Sequence, residues 1–310
     1  MPEKQYRLVT RSDFDGLVCA VLLKELNLID DILFVHPKDM QDGRIPITER
    51  DITTNLPYVP GAHLVFDHHA SEAERNQERP GNYVIDPHAP SAARVVYNYY
   101  GGKAAFPRVS DEMMAAVDKA DAARFTREEI LDPQGWVLLD YLMDSRTGLG
   151  RFREFRVSNY QLMMDLIEHC RGHGIAQLLQ LPDVQERVQL YHDQAGRARQ
   201  QIMRCVRQHG NLVVLDLRQE PAIWATNRFT IYALFPTANI SIHVMWGLKQ
   251  QNTVFATGKS ILNRSSKTNI GRLMLEYGGG GHEAAGTCQI ANDQADRVLG
   301  ELMARIHQDG

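Results

Sequence analysis

The chain has 310 residues, of which 44% are hydrophobic and 23% charged, and its formal net charge is -4. That length predicts two domains, each able to bury a core, and the ordinary hydrophobic content excludes a chain disordered throughout. The slightly negative charge argues against a protein that wraps long duplex DNA, which usually presents a strongly basic face, but it leaves room for a small anionic ligand. The four cysteines, Cys19, Cys170, Cys205 and Cys288, form no Cys-x-x-Cys pair. The first eleven residues carry charges at Glu3, Lys4, Arg7 and Arg11 where a secretory signal would be apolar. No window of roughly 18 uncharged apolar residues occurs. These features predict a cytoplasmic protein with reduced thiols and no membrane partner.

In chain order, Tyr6-Arg7-Leu8-Val9 predicts a strand and 16–28 a helix, with Val18, Val21, Leu22 and Leu26 on one side. Further strands are expected at 32–35, 64–66 and 83–85, and a weaker one at 45–47, where Pro46 lacks a ladder donor. Ser91 opens a helix that Gly101-Gly102 ends. Such strand–helix alternation predicts an α/β domain whose parallel sheet carries helices on both faces. From about 111 to 208 the pattern is mostly helical. A second α/β unit starts near 211, with strands expected at 212–215, 240–244, 253–256 and 285–290 and helices at 268–277 and 293–306. The expected boundaries are 1–185 for the first domain, 186–209 for a helical connector and 210–310 for a smaller second domain.

The acids carry the functional signal. Asp13 and Asp15 follow the first strand, Asp51 follows the 45–47 segment, and Asp67-His68-His69 follows 64–66 directly. In an open α/β sheet, ligands bind beyond the carboxyl ends of the strands, so these side chains are expected to meet at one sheet edge. Crowded carboxylates repel, and a divalent cation relieves the repulsion. Asp oxygens with one or two His nitrogens suit Mn²⁺, Mg²⁺ or Fe²⁺, whereas structural zinc favours Cys. Taken singly, Asp13 and Asp15 also suit helix capping, and Asp51 suits a surface turn.

Ser12-Asp13-Phe14-Asp15-Gly16, then Asp67-His68-His69, then Gly280-Gly281-His282 resemble, in this order, the DHH phosphoesterase superfamily with its DHH-associated C-terminal domain. The resemblance implies a parallel-sheet catalytic domain, a smaller C-terminal domain with a mixed sheet, and a Mn²⁺-dependent hydrolase with one or two ions, Mg²⁺ being the alternative. Implied substrates are short oligonucleotides, 3′-phosphoadenosine 5′-phosphate or cyclic dinucleotides. Inorganic polyphosphate and a non-catalytic nucleotide sensor are the rivals, and a homodimer stays open. Asp13, Asp15, Asp51, Asp67, His68 and Asp121 match the metal ligands. Asp39 and Asp42 are alternatives to Asp51, and Asp118 to Asp121. Asp67, His68, His69 and Arg11 are the expected catalytic residues. Arg11 stands where the family usually has a His, and a guanidinium cannot ligate a metal, which puts the second ion in question. Gly279, Gly280, Gly281, His282, Arg264 and Ser265 match the family's substrate-binding segments. Glycines let backbone N–H groups turn toward an anion, and an Arg can take a phosphate bidentately.

Overall fold

The computed structural model describes residues 5–69, 72–73, 78, 80–147, 149 and 154–310. Glu3 and Lys4 of the charged start lie outside the described residues. The chain divides into two compact units. The first comprises Met1–Arg124, Gln134–Ser145 and Leu149–Gln189, the second Phe125–Pro133, Arg146–Gly148 and Leu190–Gly310.

The first unit is built on five parallel strands in the order β2-β1-β3-β4-β5: β1 Tyr6–Arg11, β2 Ile29–Val35, β3 Asp51–Thr54, β4 Leu64–Asp67 and β5 Tyr83–Ile85. β1 is flanked by β2 on one side and β3 on the other, so connections leave it in opposite directions. That reversal opens a crevice beyond the carboxyl ends of β1 and β3, where doubly wound sheets take their ligands. Helix α1 (Phe14–Glu25) is apolar all round, and Leu17 to Leu23 have no exposed surface. A helix of that kind has to be covered on every side. Here β1 and β2 lie on one side, and α3 (Ala92–Tyr99), α4 (Asp111–Asp121) and α7 (Asn159–Cys170) cover the rest. On the opposite sheet face Met40 of α2 (Pro37–Gln41) packs with Val9 and Leu56. The expected parallel sheet with helices on both faces is therefore present.

Two expectations in this unit change. The 45–47 segment is not a strand, and β3 begins at Asp51 instead. The reason lies in Ile52-Thr53-Thr54, a β-branched run that fits a pleated, buried surface, whereas Pro46 would break a central ladder. Within the mostly helical 111–208 stretch, where Phe155 to His169 reads as one helix, the helix starts only at Asn159, capped by the Ser158 side chain on Gln161 N.

The second unit holds a mixed sheet in the order β10-β11-β9-β8-β7-β6. Its strands are β6 Val206–His209, β7 Leu212–Asp216, β8 Ile240–Trp246, β9 Thr253–Lys259, β10 Gly280–His282 and β11 Ala285–Ile290. Only the β7–β8 pair is parallel. Alternate residues Leu212 and Val214, Ile240, Ile242 and Val244, Phe255, and Cys288 and Ile290 form one core. Ile270, Leu273 and Met274 of α11 (Ile270–Glu276) and Val298, Leu302 and Ile306 of α12 (Ala295–Asp309) join it. The spacing of 298, 302 and 306 is the four-residue stripe of a one-sided helix. Each such side chain contributes about 1.5–3 kcal/mol by leaving water. The division between units falls inside one continuous helix, α9 (Pro182–Cys205). No helix among the described residues is long and apolar enough to cross a membrane.

Candidate metal centre

The end of β1 and the first turn of α1 set two carboxylates beside the crevice. Asp13 is the N-cap of α1, accepting from Gly16 N at 3.0 Å. The capping role read from the sequence is thus real for Asp13. Asp15, in the first turn, faces inward and is 2% exposed. Its two oxygens accept from the first N–H groups of α3, Ala92 N at 2.9 Å and Ala93 N at 2.8 Å. A helix N-terminus is a natural seat for an anion. Each oxygen keeps a lone pair for another partner.

Asp67 closes β4 and is fully buried. Its Oδ1 accepts from His68 N at 2.8 Å, His69 N at 3.3 Å and His69 Nδ1 at 2.7 Å. His68 turns the other way. Its Nδ1 lies 3.2 Å from Ala89 O, which makes Nδ1 the protonated nitrogen and aims Nε2 inward. His68 Nε2 comes within 2.8 Å of Asp121 Oδ2 at the end of α4, yet lacks the alignment of a hydrogen bond and is buried without one. Asp15, His68 and Asp121 each offer a ligand atom, and these atoms lie within 4.8 Å of one another.

The electrostatics of the cluster follow from its crowding. Burial, with the charge of Asp121 next, pushes the Asp15 carboxyl up to about 8, outweighing its two backbone donors. Burial alone would lower His68, but the adjacent Asp121, with Asp15 and Asp67, raises it to about 9. Asp121 moves the opposite way, held down by His68 against its own burial. A divalent cation at this spot would favour the deprotonated form of all three groups. The donor set fits an ion of the Mn²⁺ or Mg²⁺ kind, with two carboxylates, one imidazole and an orphaned nitrogen aimed at the gap. A thiolate site does not fit: burial, with the Asp15 charge, holds the nearby Cys19 thiol well above its usual range.

The remaining expected residues fall in three places. Arg11 ends β1 with Nε 3.0 Å from Asp13 Oδ2. Asp118, the alternative to Asp121, takes no part in the cluster. It accepts from Arg94 Nε at 2.9 Å and from Ser91 Oγ at 2.8 Å, pinning the residue that caps α3 and so the N–H groups that hold Asp15. Asp51 is not brought to the site. It begins β3 opposite Arg7 at the amino end of the sheet, where Arg7 Nε lies 2.7 Å from Oδ1 and Thr48 N donates to Oδ2 at 2.7 Å. Asp39 and Asp42 are engaged by Arg44 and Lys38. The residue that follows β3 toward the crevice is Asn55, 2% exposed, whose Nδ2 donates to Asp13 at 3.2 Å.

Asn55 is the site residue that the sequence reading misses. Its signal was a polar residue directly after Ile52-Thr53-Thr54, just as Asp67 directly follows Leu64-Val65-Phe66. The Asp51 pair yields a test. Burial raises the Asp51 carboxyl, but Arg7 and Thr48 outweigh it and hold the carboxyl below its ordinary value. Its contribution is therefore complete above about pH 4 and is lost as the pH falls below that. Asp51→Asn is expected to cost roughly 1–3 kcal/mol at neutral pH with unchanged kcat. Urea denaturation at pH 7 and pH 3 beside an activity assay checks both, and a large loss of kcat would return Asp51 to the site.

In the second unit the glycine run is part of a hairpin. Gly280, Gly281 and His282 form β10 against β11. A Cβ on Gly279 would lie 2.1 Å from Thr287 O, and one on Gly281 2.3 Å from Ala285 O. Close backbone packing thus requires these glycines, whatever else the segment does. Arg264 is exposed, and its Nε donates to Ile261 O. Ser265 Oγ is engaged by Asn263 and Asn239.

The comparison with known structures decides the family. The chain is 63% identical to the pGpG-specific phosphodiesterase PggH from Vibrio cholerae, covering 99% of this chain and 100% of that one, with a TM-score of 0.88. This chain belongs to the DHH superfamily of phosphoesterases. It is a hydrolase. The same fold is seen in CDC45 from Entamoeba histolytica, at 8% identity and a TM-score of 0.53, over 99% of this chain and 95% of that one. RecJ from Thermus thermophilus in complex with Mn²⁺ gives a TM-score of 0.47 at 14% identity, over 98% of this chain and 52% of that one. No family model and no curated protein matches the chain.

Proposed function

We propose that this DHH phosphoesterase is a Mn²⁺-dependent phosphodiesterase acting on short 5′-phosphorylated dinucleotides, with pGpG as its substrate. The observation that carries the substrate is the 63% identity, over essentially the full length of both chains, to a phosphodiesterase specific for pGpG. The cluster of Asp15, His68 and Asp121 supports the metal. A Mn²⁺ ion held there supplies the Lewis acidity that phosphodiester hydrolysis needs at neutral pH.

The chain's own residues supply the rest. Asp15 is oriented by the α3 N-terminus and His68 by Ala89 O, so the chain itself sets the direction of both groups. His69, oriented by its 2.7 Å contact to the buried Asp67, is the candidate to hand a proton to the departing 3′ oxygen. Arg11 contributes positive charge for a phosphoryl oxygen. Arg264 and His282 keep their proposed role as contacts to the substrate. One water is consumed, the P–O3′ bond breaks, and pGpG yields two molecules of GMP.

The test is a panel of pGpG, GpG, longer RNA, cyclic di-GMP, 3′-phosphoadenosine 5′-phosphate and polyphosphate, assayed with purified protein and Mn²⁺. The expected result is conversion of pGpG to GMP with kcat/KM at least tenfold above every other compound. Faster orthophosphate release from polyphosphate, or binding of pGpG without turnover, would overturn the reading.

A further inference from the structure

We propose that the centre holds one divalent ion per chain, and that Arg11, fixed by Asp13 and Asn55, is the permanent cation beside it that contacts the reacting phosphate. This deepens the function proposed above and rests on that reading.

The argument is an inventory of negative charge at the crevice. Asp15, His68 and Asp121 form the one group of three potential ligands found among the described residues. A second ion would have to draw on Asp13 or Asp67, and both are heavily committed. Asp13 Oδ1 accepts from Gly16 N at 3.0 Å and Asn55 Nδ2 at 3.2 Å, while Oδ2 sits 3.0 Å from Arg11 Nε. Asp67 Oδ1 takes three N–H donors, two from the backbone and one from the His69 ring, and Oδ2 takes the Tyr83 hydroxyl at 3.4 Å. Asp118 is engaged by Arg94 and Ser91, and Asp51 lies at the far end of β3. The residue beyond β3, where another carboxylate would face Asp13, is the neutral Asn55.

Charge sign completes the case. A guanidinium stays protonated at any working pH and offers donors only. A second divalent cation at Asp13 would therefore meet a fixed positive charge already paired with the carboxylate it has to use. Arg11 is held at Nε by Asp13 with 36% of its side chain exposed, and its charge is felt at the Asp121 carboxylate. There it can do electrostatically what a second ion does elsewhere, binding a phosphoryl oxygen as negative charge builds on it. Asn55 has a positioning role: its amide donates to Asp13 and keeps the Asp13 carboxylate turned to Arg11.

The test has two arms on the full-length protein. In the first, Mn²⁺ alone is titrated, with bound metal counted by elemental analysis and the spin spectrum recorded. One equivalent per chain with the six-line signal of an isolated ion is expected, and two equivalents with an exchange-coupled signal would overturn the proposal. No uptake at all would instead sink the metal reading on which the proposal rests. In the second arm, Arg11→Ala is expected to keep one Mn²⁺, with affinity within about threefold of wild type, while kcat/KM for pGpG falls about 10²-fold. Arg11→Lys is expected to recover part of that loss. Loss of the ion in Arg11→Ala, or kcat/KM within twofold of wild type, would refute the assignment.

Discussion

Asp15→Asn is expected to abolish hydrolysis, lowering kcat by about 10³-fold or more, while the chain stays folded. The two α3 N–H groups, at 2.9 and 2.8 Å, each donate to a separate Asp15 oxygen, and an asparagine offers one accepting oxygen and one NH₂ that only donates. The anionic ligand is lost and one backbone donor meets another. Without metal, however, Asp15 is a buried acid beside Asp121 whose carboxyl is raised to about 8. In the folded state it binds a proton that the unfolded chain has released by about pH 4. Asp15 therefore weakens folding progressively as the pH climbs toward 8, and neutral asparagine removes that cost. The variant should accordingly unfold near the wild-type temperature in EDTA. It should lose the stabilisation that Mn²⁺ gives the wild type, about 2.7 kcal/mol at a hundredfold excess over Kd. Thermal unfolding with and without Mn²⁺ reads both quantities. A Mn²⁺-induced shift equal to that of wild type would show that Asp15 is not a ligand.

Gly16→Ala is the second large effect, and its cause is space. A Cβ at this position would lie 2.0 Å from Arg11 O and 2.8 Å from Thr10 Oγ1. The nearer atom is backbone, so no side-chain rotation relieves the clash. Either the end of β1 or the first turn of α1 has to move, and between them these carry Arg11, Asp13 and Asp15. Overpacking of this kind costs about 1–3 kcal/mol, occasionally more. A displacement of about 1 Å at a catalytic group is enough for a 10²-fold loss in rate. The expected variant is destabilised, binds Mn²⁺ at least tenfold more weakly and loses about 10²-fold in kcat/KM. Wild-type Mn²⁺ affinity would mean that the turn tolerates a side chain and that its tightness does not set the ligand geometry.

The site was legible in the sequence where acids directly follow an apolar run. Asp13, Asp15 and Asp67-His68 could be set at a sheet edge because Tyr6-Arg7-Leu8-Val9 and Leu64-Val65-Phe66 are unmistakable strands. Asp51 went astray because the acid was attached to the wrong strand. With 45–47 read as the strand, Asp51 leaves its carboxyl end. With 51–54 as the strand, the same residue opens it and lies at the amino end of the sheet, away from the crevice. The partners that orient the ligands were not legible, because Ala89 O, Ala92 N and Ala93 N are backbone groups whose side chains carry no chemical signal. Phe14, the residue between Asp13 and Asp15, belongs to the core instead: it is 2% exposed and stacked on Trp136 at 5.6 Å. In the second unit, the alternating strands and the helical stripe at 298, 302 and 306 were plain. The short edge strands β6 and β10 were not, since Arg207, Gln208 and His209, and the glycines of 280–281, lack the β-branched composition of a buried strand.

The most direct measurement is a crystal grown with Mn²⁺ and recorded at the manganese absorption edge. The account predicts an anomalous peak between Asp15, His68 Nε2 and Asp121, at about 2.1–2.3 Å from each ligand atom, with Arg11 still against Asp13. A peak elsewhere, or none while His68 and Asp121 remain in contact, would contradict it.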